Sequence, residues 1–258
     1  MCALSIANMS NSDVSTSHMM ADYLDRIGAG KVLLDRAPFS FDWTPPALVG
    51  RDEELRGLAS MFVGIEHQGV SGRAVITGPV GSGKTVMTRR FGEDLQRALD
   101  GRRKLMLAHV NCRNHSTASQ VLQEVARSLD SGHPERGLSS SEVIQSIRRN
   151  LGTQEAHLLL VLDEVDVLIR NDKGDLIYKL LRIDEGQNRQ GSVSMILVSQ
   201  DTSLIKLFEP AIISRLGESN MLTLGGYGEE ALVEIAKQRY DCLLYTSDAA
   251  DDMQCVDL

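Results

Sequence analysis

The chain reads as an α/β protein, a three-layer sandwich in which helices cover both faces of a five-stranded parallel sheet. Three observations predict this. Strand-length apolar runs alternate along the chain with segments of helical apolar spacing, the order that builds a parallel sheet from crossover units. Residues 78–85 read Gly-Pro-Val-Gly-Ser-Gly-Lys-Thr between one such run and one such helix, which fits the phosphate-loop pattern G-x-x-x-x-G-K-[ST]. The run Leu158-Leu159-Leu160-Val161-Leu162 is too short for a buried helix and ends in Asp163-Glu164. It suits a strand buried on both faces, with its acidic end at the edge where such sheets bind ligands.

The elements follow in order. Met1 to about His18 is rich in Ser, Asn and small residues without periodicity, so it is expected to be flexible or to lie upstream of a true start near Met19 or Met20. Trp43-Thr44-Pro45-Pro46 is extended or turned, because proline disfavours helix in the residue before it. Arg51 to about His67 is predicted as one amphipathic helix, with Leu55, Leu58, Ala59, Phe62 and Ile65 on one face. Arg73–Thr77 is the first strand, and Thr85–Leu99 the helix after the phosphate loop. Lys104–Asn111 is the second strand. Ser116–Leu129 and Ser140–Leu151 are helices, the latter started by Ser140 with Glu142 close behind. Leu158–Asp163 is the third strand and Leu176–Arg182 a helix. Ser192–Ser199 and Asn220–Leu224 are the fourth and fifth strands, and Glu229 to about Arg239 begins a last helix. The phosphate-loop strand is expected at the centre of the sheet, with the Asp163 strand as its neighbour.

The bulk properties narrow the class. The chain has 258 residues, with 42% hydrophobic and 24% charged, ordinary for a globular core. No apolar run approaches the ~18 residues of a membrane span, and the N-terminus lacks the basic and apolar stretches of a secretory signal. Cys2, Cys112, Cys242 and Cys255 are scattered without metal-ligand spacing, which reads as reduced thiols, a cytoplasmic setting and no structural zinc. The net charge of −8 argues against a strongly basic nucleic-acid binder, although a local patch of Lys and Arg can still hold phosphates.

The candidate site gathers at the phosphate loop. Chance produces that pattern in about one chain of this length in a hundred. Gly78, Gly81 and Gly83 free the backbone to aim N–H groups at phosphates, and Pro79, Val80 and Ser82 complete the loop. Lys84 supplies a point charge for the β/γ-phosphates of ATP. Thr85 supplies a hydroxyl for Mg²⁺, and Asp163 is the second candidate magnesium ligand. Glu164 can polarise the attacking water; a nucleotide switch has no need of it, whereas a hydrolase does. Asp166 reads as a solvated loop residue. Gln200, at the end of the fourth strand, is the candidate to reach the γ-phosphate and the water, with Ser199 second.

Several segments together resemble the AAA+ ATPases of the P-loop NTPase fold. More narrowly they are similar to the archaeal replication initiators of the origin-recognition and helicase-loader family. They are residues 41–55, GPVGSGKT, VNCRN (110–114), PERGLS (134–139), LVLDEVDVLI (160–169), IYKLLRI (177–183), SVSMILVSQD (192–201) and ISRLG (213–217). The resemblance covers about Asp35 to Arg239. It implies that Val49, Gly50 and Arg51 line the adenine pocket. It implies that Gln200 is the first sensor, where the family usually has Asn, so that hydrolysis is slow. It implies that Arg215 reaches the nucleotide of a neighbouring AAA+ subunit, and that Glu135, Arg136, Gly137 and Leu138 touch double-stranded origin DNA. The implied function is an ATP-driven initiator that helps load the replicative helicase; an ATPase remodelling protein partners without DNA contact is the alternative. The expected organisation is a flexible segment (1–34), the ATPase core (35–226), the start of a helical lid (227–241) and a non-native tail (242–258). That tail resembles the conceptual translation of a sequencing adapter. Without its Asp248, Asp251, Asp252 and Asp257 the net charge falls from −8 to −4.

Overall fold

The computed structural model describes Ala37, Ser40 and residues 43–183 and 191–244. The expected flexible segment 1–34 lies outside the described residues, as do residues 245–258 of the expected tail. The chain divides into two compact units, Thr44–Ile235, and Met1–Trp43 with Ala236–Leu258. The first holds the sheet and its helices. In the second, the Arg239 guanidinium lies over the Trp43 ring at 5.6 Å.

The elements are α1 (Asp52–Ser60), β1 (Arg73–Thr77), α2 (Lys84–Leu99), β2 (Leu105–Asn111), α3 (Ala118–Leu129), α4 (Ser140–Thr153), β3 (His157–Asp163), α5 (Asp166–Asp172), α6 (Asp175–Leu181), β4 (Ser192–Ser199), α7 (Pro210–Leu216), β5 (Met221–Thr223) and α8 (Glu229–Leu244). No helix among the described residues is long and apolar enough to cross a membrane.

The five strands pair in parallel in the order β2-β3-β4-β1-β5. Alternation along each strand sorts its residues between two cores. Leu158, Leu160 and Leu162 of β3 join Val75, Met195 and Leu197 on the face covered by α3 to α7. Leu159 and Val161 join Ala74, Ile76, Ile196 and Val198 on the face covered by α1 and α2. Burial on both faces explains why β3 and β4 read as unbroken apolar runs.

Three expectations are corrected. The first helix stops at Ser60, not His67: Met61 N and Phe62 N bond back three residues, to Leu58 O and Ala59 O, and further on Gly64 takes φ +83°, which bars a helix through to His67. Phe62 and Ile65 still enter the core from the turns that follow. The helix α4 is capped by Ser139 rather than Ser140: Ser139 Oγ accepts from Glu142 N, and Glu142 Oε2 accepts from Ser139 N. The phosphate-loop strand β1 is second from one edge, and β4 separates it from β3, so the Asp163 strand is not its neighbour. Two elements differ more mildly: α5 is an extra helix, and α8 runs to Leu244, past Arg239.

The end of the sheet away from the phosphate loop is held by a buried polar cluster. His157 Nδ1 and Nε2 sit 2.5 and 2.7 Å from Ser192 Oγ and Ser194 Oγ. Arg103 Nη2 donates to Ser192 Oγ, and Gly72 N to Ser194 Oγ. Burial, with the Arg103 charge second, pushes the His157 pKa down to about 3, so the ring is neutral.

Candidate nucleotide site

Parallel pairing puts the C-terminal ends of all strands on one edge. Asn111 stands level with Asp163 and Thr77 with Ser199. From β1 the chain leaves through the phosphate loop into α2; from β3 it leaves into α5 on the opposite face. Ligands of open α/β sheets bind in the crevice such a divergence opens.

The loop folds tightly between Thr77 and Lys84. A side chain at Gly78 would put Cβ 2.4 Å from Leu224 O, and one at Gly83 would put it 2.6 Å from Tyr227 Oη. Gly83 also takes φ +83°, so the backbone favours glycine here, and any side chain would further displace the Tyr227 hydroxyl. Lys84 is buried, and its Nζ donates to Gly78 O at 2.8 Å and Pro79 O at 2.7 Å. Burial pushes its pKa below the usual value, against the attraction of Asp163, Asp166 and Glu164. Pro79, Val80 and Gly81 form the exposed tip, while Ser82 is buried.

Thr85 Oγ1, in the first turn of α2, donates to Asp163 Oδ2 at 2.6 Å. Two hard oxygens therefore converge from residues 78 positions apart. Burial works against the charged form of Asp163. Hydrogen bonds from His109 and Thr85, then the His109 charge and the Glu164 N–H, outweigh it and hold the carboxyl below its usual value. An ionised carboxylate and a hydroxyl fit Mg²⁺, which takes few protein ligands and fills its octahedron with phosphate oxygens and water.

Glu164 has φ +52°, rare for a residue with a side chain, and its own N–H is bonded to Asp163 Oδ1 at 2.9 Å. Its carboxylate meets two side chains. Gln200 Nε2 donates to Oε1 at 3.1 Å. Arg113 Nε lies 2.7 Å from Oε2, as a charge contact without hydrogen-bond alignment. Ser199 is engaged elsewhere: its Oγ donates to Asp166 Oδ1 at 2.8 Å, so Asp166 anchors the start of α5 rather than standing solvated in a loop.

Arg51 is buried beside the loop. Its Nη2 donates to Ser82 O at 3.0 Å and Gly225 O at 2.6 Å, and its Cζ lies 4.3 Å from the centre of the Tyr227 ring. Val49 and Gly50 precede it, the latter exposed with φ +61°. Two predicted groups are not brought to the phosphate loop. Glu135, Arg136 and Gly137 are exposed in the loop between α3 and α4, with Glu135 3.6 Å from Arg127, whereas Leu138 is partly buried and packs against the core. Arg215 is next to last in α7, and its carbonyl accepts from Arg73 Nη1 at 2.6 Å. Arg73 begins β1, so the strand's length of roughly 16 Å, at ~3.3 Å per residue, lies between that point and the loop.

Sequence reasoning assigned no role to Arg113, His109 and Tyr227. Arg113 had one signal, a charge just past a strand that ends at the ligand edge. Tyr227 lies in the aperiodic Gly225-Gly226-Tyr227-Gly228 and had none.

A parallel sheet with this loop, lysine and strand-end aspartate defines a phosphate-loop nucleotide-binding protein. The chain belongs to the AAA domain family, whose model matches residues 69–208, more than half its length. It is similar to the ORC1-type DNA replication protein 1 of Sulfolobus acidocaldarius, 30% identical over 224 residues, 85% of this chain and 55% of that protein. The chain spans about half the length of the curated relatives it matches. The Aeropyrum pernix ORC1 protein, solved in complex with DNA, superposes with a TM-score of 0.71 at 27% identity, over 82% of this chain and 54% of that one. The Aeropyrum pernix ORC2 protein, solved in ADPNP–ADP complexes, gives 0.73 at 24%, over 81% and 56%, a likeness of fold.

Proposed function

We propose that the chain is the ATP-binding and slowly hydrolysing core of a replication initiator, which engages duplex origin DNA and helps load the replicative helicase in the cytoplasm of an archaeal cell. The single observation that carries the catalytic part is the grouping of Thr85, Asp163, Glu164 and Gln200 around the N-terminus of α2. The initiator part is supported by the ORC1-type relatives and by the DNA complex of the Aeropyrum pernix ORC1 protein.

The residues divide the work. The loop N–H groups and the positive end of α2 receive the phosphates. Lys84 adds a charge against the β/γ oxygens. Thr85 and Asp163 would hold Mg²⁺, which neutralises phosphate charge when bound. Glu164 accepts a hydrogen bond from the attacking water, and Gln200, already bonded to that carboxylate, orients it. The Arg113 contact competes for the same carboxylate, a physical reason for slow turnover. Arg51, with Val49 and Gly50, borders the base. Arg215 acts on the site of a neighbouring subunit.

The test is a titration of fluorescent nucleotide and of labelled duplex DNA into the full chain, with steady-state phosphate release. Nucleotide binding with Mg²⁺-dependent hydrolysis and DNA binding supports the reading. Hydrolysis without DNA binding favours an ATPase that acts on protein partners.

A further inference from the structure

We propose that the Tyr178 ring positions Arg215, holding its guanidinium where it can act on the nucleotide of a second copy of this chain; this rests on the trans role given to Arg215 above. Arg215 is the penultimate residue of α7, and its contacts include one at its backbone and one at its guanidinium. Arg73 Nη1 ties its carbonyl to the start of β1. Tyr178, from α6, sets its ring centre 5.6 Å from Arg215 Cζ, within the ~6 Å at which a ring face attracts a cation.

The ring is itself secured. Tyr178 is half-buried and packs on the core, between the buried Ile177 and Leu180 on its own helix. Arg182 lies against the same ring with Cζ at 5.5 Å, and its Nη1 donates to Tyr178 Oη at 3.4 Å. Arg148 Nη2, from α4, donates to Arg182 O at 3.2 Å. Tyr178 also lines a groove of about 470 Å³ with Arg148, Arg182 and an Asp175–Lys179 ion pair of 2.6 Å.

A long arginine side chain on an unsupported surface samples many rotamers, and each must be given up on engaging a phosphate. Stacking on a fixed ring makes that selection beforehand. Its effect on rate can exceed its effect on binding, since a misplacement of about 1 Å can cost on the order of a hundredfold. Tyr178 is therefore a positioning residue for Arg215.

The test mixes two full chains with ATP, Mg²⁺ and duplex DNA. The receiver carries Arg215→Ala, with its nucleotide site intact. The donor carries Glu164→Gln, with a dead site and its arginine intact. Hydrolysis by the mixture above either chain alone reports the donor's Arg215 in trans. Adding Tyr178→Leu to the donor should reduce that gain on the order of tenfold, whereas Tyr178→Phe, which keeps the ring face, should preserve it. Tyr178→Leu in the receiver instead should leave the gain in place, which also shows that the variant folds. An undiminished gain with the Tyr178→Leu donor overturns the role of Tyr178 and leaves the trans reading intact. An equal loss with Leu and Phe overturns the ring as the platform. No gain with the simple donor overturns the trans reading, and the proposal with it.

Discussion

Arg113 Nε lies 2.7 Å from Glu164 Oε2. The pair joins the segment after β2 to the residue after β3, across the mouth of the nucleotide site. It sets a cation on the carboxylate that the hydrolytic reading assigns to water. Glu164 is held on its other oxygen by Gln200 and in a left-handed backbone by Asp163. Its geometry is therefore determined from three sides.

Removing the cation should release that carboxylate. Arg113→Ala is expected to raise the turnover rate by roughly threefold to tenfold, the range of a ~1 kcal/mol contact. Nucleotide affinity should stay within about twofold, because Arg113 contacts the carboxylate and not the loop. Phosphate release with nucleotide titration measures both. A slower enzyme would show that Arg113 aids the reaction instead.

Lys84 and Glu164 should separate binding from chemistry. Lys84→Ala removes a charge that meets the phosphates in the ground state, so ATP binding should be lost. Glu164→Gln removes an interaction with water alone, so binding should persist while hydrolysis falls at least a hundredfold. Equilibrium titration beside single-turnover hydrolysis reads the two. Equal affinity in Lys84→Ala and the parent chain would contradict the site.

Gly83 meets two separate constraints. Alanine there adds about 1–2 kcal/mol of left-handed strain and brings Cβ to 2.6 Å from Tyr227 Oη. Gly83→Ala should lower stability in urea by at least that strain and abolish nucleotide binding. Pairing it with Tyr227→Ala removes the contact but not the backbone strain, so only part of the stability should return. Full recovery would mean that the backbone at residue 83 tolerates a side chain.

His157 should impose a pH dependence. Its folded pKa is about 3, against 6.5 for an ordinary histidine. In that interval the unfolded chain binds the proton and the folded chain does not, so stability falls as pH drops below the unfolded value. One such group lowers stability by about 2 kcal/mol between neutrality and about pH 5. His157→Gln should flatten that slope in urea melts followed across the range. An unchanged slope would place the proton elsewhere.

The core gives a prediction of its own. Leu160 is wholly buried in the middle of β3. Leu160→Ala is expected to cost about 2–5 kcal/mol through lost transfer energy and the cavity left behind, measured by chemical denaturation.

The sequence by itself determined the elements and the chemistry that adjoins them. Arg73–Thr77 and Ser192–Ser199 are strands from end to end as their patterns indicate, because two-sided burial leaves an unbroken apolar run. The phosphate loop and the strand-end aspartate were legible for a related reason: glycine spacing and the lysine after it act through backbone already local to them. The tertiary structure alone decided what joins distant segments. It placed β4 between β1 and β3, set Arg113 on Glu164 and Tyr227 behind Gly83, and carried Arg215 to the far end of β1. Strand order depends on which crossover each helix can pack, and a contact between residues 113 and 164 depends on that order. A pattern with a period of two or 3.6 residues records which face a side chain takes, but not which strand lies beside it.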